Sequence, residues 1–333
     1  MVFTFNDIPD LSGKVAIVTG GNSGIGEISC KELAAKGARV YMASRSESKA
    51  KESIERIRKS HSEADVIFLE CDLTDLGSVK SAVERFLSKE KRLDILLNNA
   101  GIMATPYQFT KDGLELQNGT NVMGHYLITM LLLPILYQTS KVNDGGNSVR
   151  IVQVSSDAIM MAPSDASFKD LESFNHQYLP EYKGTWTRYG KSKLGNVILS
   201  NEIKRMLPEG SRISNLSVHP GVINTGLTRG PLESYRFLPS FLFRLIGYFV
   251  KSPEQGALTQ IFASTSSEID EKSMDGAFLR PMARLGQKTK LAEDEEGRLG
   301  KELFTFARGF VKEKLGIDVA EYLEEKAGIK YLH

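Results

Sequence analysis

The chain has 333 residues, of which 41% are hydrophobic and 25% charged, proportions ordinary for a globular protein with a substantial core. A net charge of +1 gives no field to attract nucleic acid, and two cysteines and five scattered histidines form neither a disulfide framework nor metal-ligand spacing. The lead-in before Val15 has no secretory signal and no long apolar span, so we expect a cytoplasmic protein without an integral membrane segment.

Short β-branched runs alternate with longer amphipathic stretches along the chain. Strands are predicted at 15–19, 38–43, 65–70, 94–99, 150–155, 212–218 and 275–280. Helices are predicted between them, among others at Ile25–Lys36, Glu47–Lys59, Leu76–Lys89 and Leu114–Leu136. Because the strands are near-continuous apolar runs, they suit a parallel sheet that is buried on both faces. The pattern predicts one α/β domain over residues 1–333, a doubly wound parallel (Rossmann) sheet followed by C-terminal helices at 292–333, with the acidic run 292–297 solvated.

The segment TGGNSGIG directly follows the first predicted strand. Gly20 allows a tight turn, Gly24 lets the backbone approach a pyrophosphate, and Gly26 lets the next helix pack close to the sheet. The N-terminus of that helix directs free N–H groups and the positive end of its dipole toward phosphates. A glycine triplet alone can be a plain turn, but its place between the first strand and the first helix favours a nucleotide site.

Four tyrosines are followed by a lysine after four residues, a spacing that places both side chains on one face of a helix. Tyr107 lies in a predicted loop, Tyr137 lies near the predicted end of a helix, and Tyr322 lies in an acidic helix whose glutamates compete for the lysine. Tyr189 alone begins a long helical pattern, and it follows a strand that ends in two serines. We therefore predict that Tyr189 is a catalytic acid and that Lys193 is its charge partner.

A tyrosine beside a lysine can give a proton to an oxygen that gains charge, as the reduction of a carbonyl requires. A tyrosine of ordinary pKa, about 10, is a poor acid near neutrality. A lysine charge about 4 Å away is worth roughly 4 kcal/mol at an effective dielectric of about 20, so we expect Lys193 to bring the pKa of Tyr189 toward 7. Successive strand residues face opposite ways, so only one of Ser155 and Ser156 can face the same site as Tyr189.

These motifs occur together with NNAG at Asn98–Gly101 and HPGVINT at His219–Thr225, in the order found in short-chain dehydrogenases/reductases. Over about residues 12–280 the chain resembles that family. Three features are similar to the retinol dehydrogenase-like and WW-domain oxidoreductase-like branch. They are the long insert between Ser156 and Tyr189, the sequence YGKSKLGNV that follows it, and the C-terminal sequence GKELFTFARGFVKEKLG. The resemblance implies that Ser156 is the catalytic serine.

The resemblance also implies that Asn121 supports a proton relay by interrupting a helix, although an amide on a helix face is the alternative. Lys193 would in addition bond the nicotinamide ribose. His125 and His219 are expected to be structural, because nothing pairs either with a nucleophile.

The second strand ends in Ser44 and Arg45 rather than in a carboxylate that would bond a ribose 2′-OH. An arginine grips a 2′-phosphate well, so NADP(H) is favoured, with help from Lys49, unless Arg45 is only a solvated loop charge. The resemblance implies the following cofactor contacts: Gly20, Asn22, Ser23, Gly24, Ile25, Gly26, Ser44, Arg45, Lys49, Asp72, Leu73, Asn99, Ala100, Gly101, Tyr189, Lys193, Pro220, Gly221, Val222 and Thr225.

The stretch at 237–250 is strongly apolar. The resemblance implies that it belongs to a substrate lid at 230–250, and therefore that the substrate is a hydrophobic carbonyl or alcohol. A peripheral membrane contact or a subunit interface is the rival reading, and a homodimer or tetramer stays open. Met160 and Met161 line the substrate pocket or belong to the core. The expected activity is NADP(H)-dependent interconversion of a hydrophobic aldehyde or ketone with its alcohol. The alternatives are an NADP(H)-binding sensor or scaffold without the reaction, and a methyltransferase on a similar sheet.

Overall fold

The computed structural model describes residues 3–142, 149–223, 234 and 252–333. These residues form an eight-stranded sheet whose strands lie in the order β3-β2-β1-β4-β5-β6-β7-β8. Neighbouring strands are parallel except β7 and β8, which are antiparallel. The strands are β1 Val15–Thr19, β2 Arg39–Ser44, β3 Val66–Glu70, β4 Ile95–Asn98, β5 Val149–Val154, β6 Ile213–Val218, β7 Phe278–Arg280 and β8 Arg284–Gly286. The predicted doubly wound α/β sheet is confirmed.

Helices cover both faces of the sheet. They are α1 Gly24–Ala35, α2 Glu47–Ser60, α3 Leu76–Lys89, α4 Leu116–Asn118, α5 Gly124–Val142, α6 Leu171–Phe174, α7 Glu181–Met206, α8 Pro253–Thr265, α9 Glu268–Glu271, α10 Lys290–Glu293, α11 Arg298–Leu315 and α12 Val319–Ala327. Helices α1, α2 and α8 share one buried apolar cluster with the sheet, and α3, α5, α7, α11 and α12 share the other. Both strand faces are therefore buried, as the continuous apolar runs predict.

At the far edge of the sheet one strand prediction is wrong in its bounds and one strand is missing from the predictions. The strand expected at 275–280 begins only at Phe278, because Gly276 has a φ of +80° and Ala277 closes a turn onto Met274. Strand β8 was not predicted. It is three residues long and partly exposed, so it carries no periodic apolar signal.

The helix predicted to end at Leu136 continues to Val142 through Pro134. A proline removes one helix hydrogen bond, but tertiary burial of the flanking residues holds this helix together. The stretch Leu116–Val142 is long and apolar enough to cross a membrane, yet 94% of its most apolar window is buried inside the protein. That burial is the behaviour of a core helix.

The predicted start of helix α7 is Tyr189, but the helix begins eight residues earlier, at Glu181. The first turns include Gly184, a poor helix former, but a Cβ at this position would lie 1.8 Å from the carbonyl oxygen of Tyr178. Arg188 is fully buried and ion-pairs with Glu181 at 2.6 Å, which ties the start of the helix down. Tertiary contacts thus extend the helix beyond its sequence signal.

The prediction that the acidic run at 292–297 is solvated is wrong for one of its residues. Asp294 is buried, and its carboxylate accepts hydrogen bonds from the backbone N–H groups of Leu299 and Gly300 at 3.0 and 2.8 Å. A carboxylate in this position satisfies free donors at the start of α11.

Candidate active site

The turn between β1 and α1 depends on its glycines. Gly20 and Gly24 have φ values of +65° and +56°, in the left-handed region that favours glycine. A Cβ at Gly26 would lie 2.3 Å from the carbonyl oxygen of Gly20, so only glycine lets α1 pack against the turn. The three glycines therefore shape the turn.

The N-terminus of α1 is open toward the turn. Ser23 precedes the helix in an extended conformation, and its side chain makes no capping hydrogen bond with the residues that the structure describes. Ser23 is exposed, Asn22 is half-buried and Ile25 is buried behind them. N–H groups without a side-chain cap suit an anion such as a phosphate.

The carboxyl end of β2 presents a hydroxyl and two cations. Ser44 is buried, and its Oγ has no hydrogen-bond partner among the described residues. Arg45 and Lys49 are exposed beside it. An orphaned buried hydroxyl next to exposed cations is suited to a polar, negatively charged ligand.

Beyond β3, Asp72 shapes its own loop: one carboxylate oxygen accepts hydrogen bonds from the N–H and the hydroxyl of Thr74 at 2.9 and 2.8 Å. Leu73 is buried so close to α5 that a Cβ at Gly124 would lie 2.9 Å from its side chain. These contacts fix the loop along the same sheet edge.

A buried network joins β1 to the NNAG loop. Thr19 Oγ1 accepts hydrogen bonds from the backbone N–H groups of Asn99 and Ala100, both at 2.9 Å, and Asn99 Nδ2 donates to Thr19 O at 2.8 Å. The His125 ring lies behind it, with Nε2 2.9 Å from Thr19 Oγ1 and Nδ1 3.0 Å from Asn121 O. Since a carbonyl oxygen only accepts, Nδ1 carries the proton and Nε2 accepts from the threonine.

Burial lowers the pKa of His125 to about 3. The ring is therefore neutral at physiological pH and acts as a fixed bridge between the loop and the helix.

Asn121 lies in a π-helical turn, Gly119–Met123, between α4 and α5. Its Oδ1 accepts from the Ile102 N–H at 2.9 Å, and its Nδ2 donates to Ile102 O and to Ser192 Oγ, each at 2.9 Å. Its backbone oxygen also accepts a hydrogen bond from Asn196 Nδ2 at 2.7 Å. Asn121 is thus a buried bridge between the NNAG loop and α7, inside an interrupted helix, rather than an amide on a helix face.

The two serines after β5 have different surroundings. Ser155 is buried, and its Oγ donates to the backbone oxygen of Lys193 at 2.7 Å. Ser156 is half-buried, its Oγ accepts a hydrogen bond from the Ala158 N–H at 3.1 Å, and its side chain acts to lower the pKa of Tyr189. Ser155 therefore holds α7 against β5, and Ser156 is the serine that acts on Tyr189.

Lys193 and Tyr189 are close but do not form a tight charge pair. Lys193 Nζ lies 5.8 Å from the centre of the Tyr189 ring and donates to Val154 O at 2.8 Å. A Cβ at Gly101 would lie 3.2 Å from Lys193 Nζ and 3.4 Å from Asn121 Oδ1. The structure thus brings these sequence-predicted residues together around Gly101.

The expected lowering of the Tyr189 pKa is wrong for the protein alone. Burial raises the pKa of Tyr189 to about 12, against a smaller opposite effect of the hydrogen bond with Ser156. Burial also lowers the pKa of Lys193 to about 7. Loss of hydration disfavours both charged forms, and this effect exceeds the attraction that the spacing suggested.

Comparisons with known proteins place this geometry in a family. The family model for short chain dehydrogenases matches residues 14–167. An uncharacterized oxidoreductase of Schizosaccharomyces pombe is 44% identical over 286 residues, covering 85% of this chain and 81% of that protein. The chain belongs to the short-chain dehydrogenase/reductase family. Family members are oxidoreductases that bind nicotinamide cofactors and act on small substrates.

This short-chain dehydrogenase/reductase is also similar to retinol dehydrogenase 12 of Mus musculus, at 36% identity over 263 residues, covering 79% of this chain and 77% of that protein. That similarity confirms the retinol dehydrogenase-like branch. The solved structure of an uncharacterized protein from Mycobacterium paratuberculosis is 29% identical with a TM-score of 0.68, covering 94% of this chain and 98% of that one.

The last expected cofactor contacts of this dehydrogenase/reductase follow β6. Pro220 is half-buried, Gly221 has a φ of +99°, and Val222 is 66% exposed. Thr225 lies outside the described residues, as does the expected lid at 230–250 except Ser234. Ser234 Oγ donates to Ala104 O at 2.7 Å, just beyond the NNAG loop.

The three competing tyrosines make contacts elsewhere. Tyr107 donates to Asn175 O at 2.7 Å, Tyr322 donates to Leu131 O at 3.0 Å, and the ring of Tyr137 packs beneath Lys141. Each hydroxyl or ring has a structural role, which leaves Tyr189 as the tyrosine beside the serine pair.

Sequence reasoning missed several residues of the site. Thr19 begins the segment TGGNSGIG, but the sequence does not predict its role, because its hydroxyl accepts a hydrogen bond from a residue 80 positions away. Asp157 follows Ser156 and accepts from Arg280 Nε at 2.9 Å, with His219 Nε2 at 3.6 Å, so it links the ends of β5, β6 and β7. No local pattern predicts such links.

Proposed function

We propose that this protein is an NADP(H)-dependent oxidoreductase that interconverts a hydrophobic aldehyde or ketone with its alcohol. The catalytic residues are Asn121, Ser156, Tyr189 and Lys193. The observation that carries this proposal is the gathering of Lys193 Nζ and Asn121 Oδ1 around Gly101, with the Tyr189 ring 5.8 Å from the same Nζ.

The chain's own residues provide the proton and hold the oxygen. At a pKa of about 12 the Tyr189 phenol keeps its proton at neutral pH, which suits a donor to the developing alkoxide. Ser156 would donate a hydrogen bond to the same oxygen, and Lys193, which lies beside Gly101, would hold the ribose of the nucleotide. Asn121 holds the loop and helix in register through its bonds to Ile102 and Ser192. The bound nicotinamide nucleotide supplies or accepts the hydride.

The proposed preference for NADP(H) rests on the end of β2. There is no carboxylate at Ser44 to repel a 2′-phosphate, and Arg45 and Lys49 are exposed beside it. The pyrophosphate would lie over the glycine turn at the open start of α1, and Asp72, Leu73, Asn99, Ala100 and Gly101 would line the adenosine and ribose sides. We also propose a cytoplasmic location, because both cysteines, Cys30 and Cys71, are free and buried.

A panel of carbonyls tests this function. Absorbance at 340 nm would follow consumption of NADPH, and separately of NADH, with aromatic, aliphatic and retinoid aldehydes and with ketones. We expect turnover of hydrophobic members and a higher kcat/KM with NADPH. Binding of NADPH without turnover of any member would favour the sensor or scaffold alternative and contradict the enzymatic proposal.

A further inference from the structure

A groove of about 400 Å³ opens beside the catalytic tyrosine. It is lined by Met161, Tyr182, Lys183, Trp186 and Thr187. Four of the five residues belong to the first turns of α7, and Met161 ends the short 3₁₀ helix that follows Ser156. The groove therefore lies between the two segments that carry the catalytic serine and tyrosine.

The groove wall is apolar and exposed. Met161 is 51% exposed and Tyr182 is 54% exposed, which rules out the alternative that Met161 is a core residue. Met160, next to it, is 67% exposed. Large apolar side chains that stay open in a concave surface mark a ligand site.

Trp186 connects this wall to the chemistry. It precedes Tyr189 by almost one helical turn, and the two ring centres are 6.2 Å apart, edge to face at 81°. Tyr182 lies one further turn back on the same face of α7. An indole in this position offers a flat, polarisable face within one ring width of the proton donor.

We propose that the groove binds the planar ring system of the substrate and that Trp186 selects aryl aldehydes and aryl ketones. This inference rests on the proposed function and names its substrate class. The ring centres of Trp186 and Tyr189 are 6.2 Å apart, so this inference favours a carbonyl that is attached directly to the bound ring or one bond away from it. A saturated chain gains no ring-to-ring contact from the same wall.

The proposed reduction balances in electrons and protons. A bound reduced nicotinamide nucleotide would supply a hydride to the carbonyl carbon and would thereby be oxidised. The π pair of the C=O bond moves to oxygen, and the oxygen takes the Tyr189 proton. An aryl aldehyde thus becomes an aryl methanol.

Matched substrates and variants test the selection. 2-Naphthaldehyde and its fully saturated decahydro counterpart have the same skeleton but differ in planarity. We expect a kcat/KM ratio in favour of the naphthyl compound, and a loss of that ratio of about tenfold in Trp186→Leu, equivalent to about 1.4 kcal/mol. Trp186→Phe should keep most of the ratio. Phe109→Leu removes a ring that is 51% exposed outside the groove, and it should leave the ratio unchanged.

A second measurement does not depend on turnover. Trp186 is the only tryptophan in the chain, so intrinsic fluorescence reports this groove alone. 4-Nitrobenzyl alcohol, a non-fluorescent aryl product, should quench it in a saturable way, with N-acetyltryptophanamide as the inner-filter control. Two results would overturn this inference and leave the proposed function intact. One is turnover by Trp186→Leu with the same substrate ratio as wild type, and the other is turnover by the wild-type protein without saturable quenching. Saturable quenching with no turnover of any carbonyl would support the aromatic groove and overturn the proposed function.

Discussion

Replacing Lys193 by methionine should raise the free energy of unfolding at low pH and lower it at high pH. Burial lowers the pKa of Lys193 from its ordinary value of 10.5 to about 7. Below pH 7 the lysine is charged in both the native and the unfolded protein, and the native state bears the full desolvation penalty. As pH rises from 7 to 10.5, the native lysine is neutral while the unfolded chain still binds the proton, so the penalty is lost progressively.

The size of the effect follows from that difference in pKa. At about 1.36 kcal/mol per pKa unit, a fall from 10.5 to about 7 corresponds to about 5 kcal/mol at low pH. Methionine removes this penalty but leaves Val154 O without the 2.8 Å hydrogen bond from Nζ, at a cost of about 1–3 kcal/mol. The variant should therefore be more stable than wild type by about 2–4 kcal/mol at pH 6, and less stable above about pH 10.

Equilibrium urea unfolding of the cofactor-free protein measures this difference, followed by circular dichroism and tryptophan fluorescence at pH 6, 8 and 10. Burial raises the pKa of Tyr189 to about 12, so this residue keeps its proton in the native state over this pH range. Lys59→Met, at an exposed position, is the control and should change stability by less than about 0.5 kcal/mol at every pH. A difference for Lys193→Met that does not vary with pH, or a less stable variant at pH 6, would refute the reasoning.

Further predictions concern the cofactor and the serine pair. Arg45→Ala should raise the KM for NADPH by about 10- to 100-fold and leave the KM for NADH nearly unchanged; steady-state kinetics with both nucleotides checks this, and equal effects would remove the NADP(H) assignment. Gly26→Ala should lower the free energy of unfolding by at least about 1–3 kcal/mol, because its Cβ meets the Gly20 oxygen, whereas Gly309→Ala, with open space in an exposed helix, should raise it by about 0.5–1 kcal/mol in thermal unfolding. Ser156→Ala should lower kcat/KM without a large change in Tm, while Ser155→Ala should lower Tm; the opposite pattern would exchange their roles.

The sheet could be predicted almost entirely from local pattern. Buried parallel strands are continuous apolar runs, so β1 coincides with its prediction and β2 to β6 are within about one residue of theirs at each end. The prediction failed where tertiary contacts outweigh propensity. The start of α7 is held by the buried Arg188, and α5 continues through Pro134 because both flanks are packed.

The site was predictable to the extent that its residues occur in motifs with fixed order. The glycine turn and the Tyr189/Lys193 pair follow from spacing and position. The electrostatics did not follow, because a spacing of four residues says nothing about how deeply Lys193 is buried. The bridge from Asn121 through His125 to Thr19 spans more than a hundred residues, so no local pattern predicts it. Trp186 lies before the predicted start of its helix, so its place beside Tyr189 could not be predicted either.

The central claim is that Tyr189 donates the proton while the dinucleotide lies over the glycine turn. It is tested most directly by kcat/KM and by the calorimetric Kd for NADPH in Tyr189→Phe. Tyr322→Phe is the control, because its hydroxyl donates to Leu131 O, away from the site. The account predicts that Tyr189→Phe loses at least about 10³-fold in kcat/KM, within the range of positioned acid catalysis, and keeps the Kd for NADPH within about twofold. Turnover by Tyr189→Phe within tenfold of wild type would contradict it.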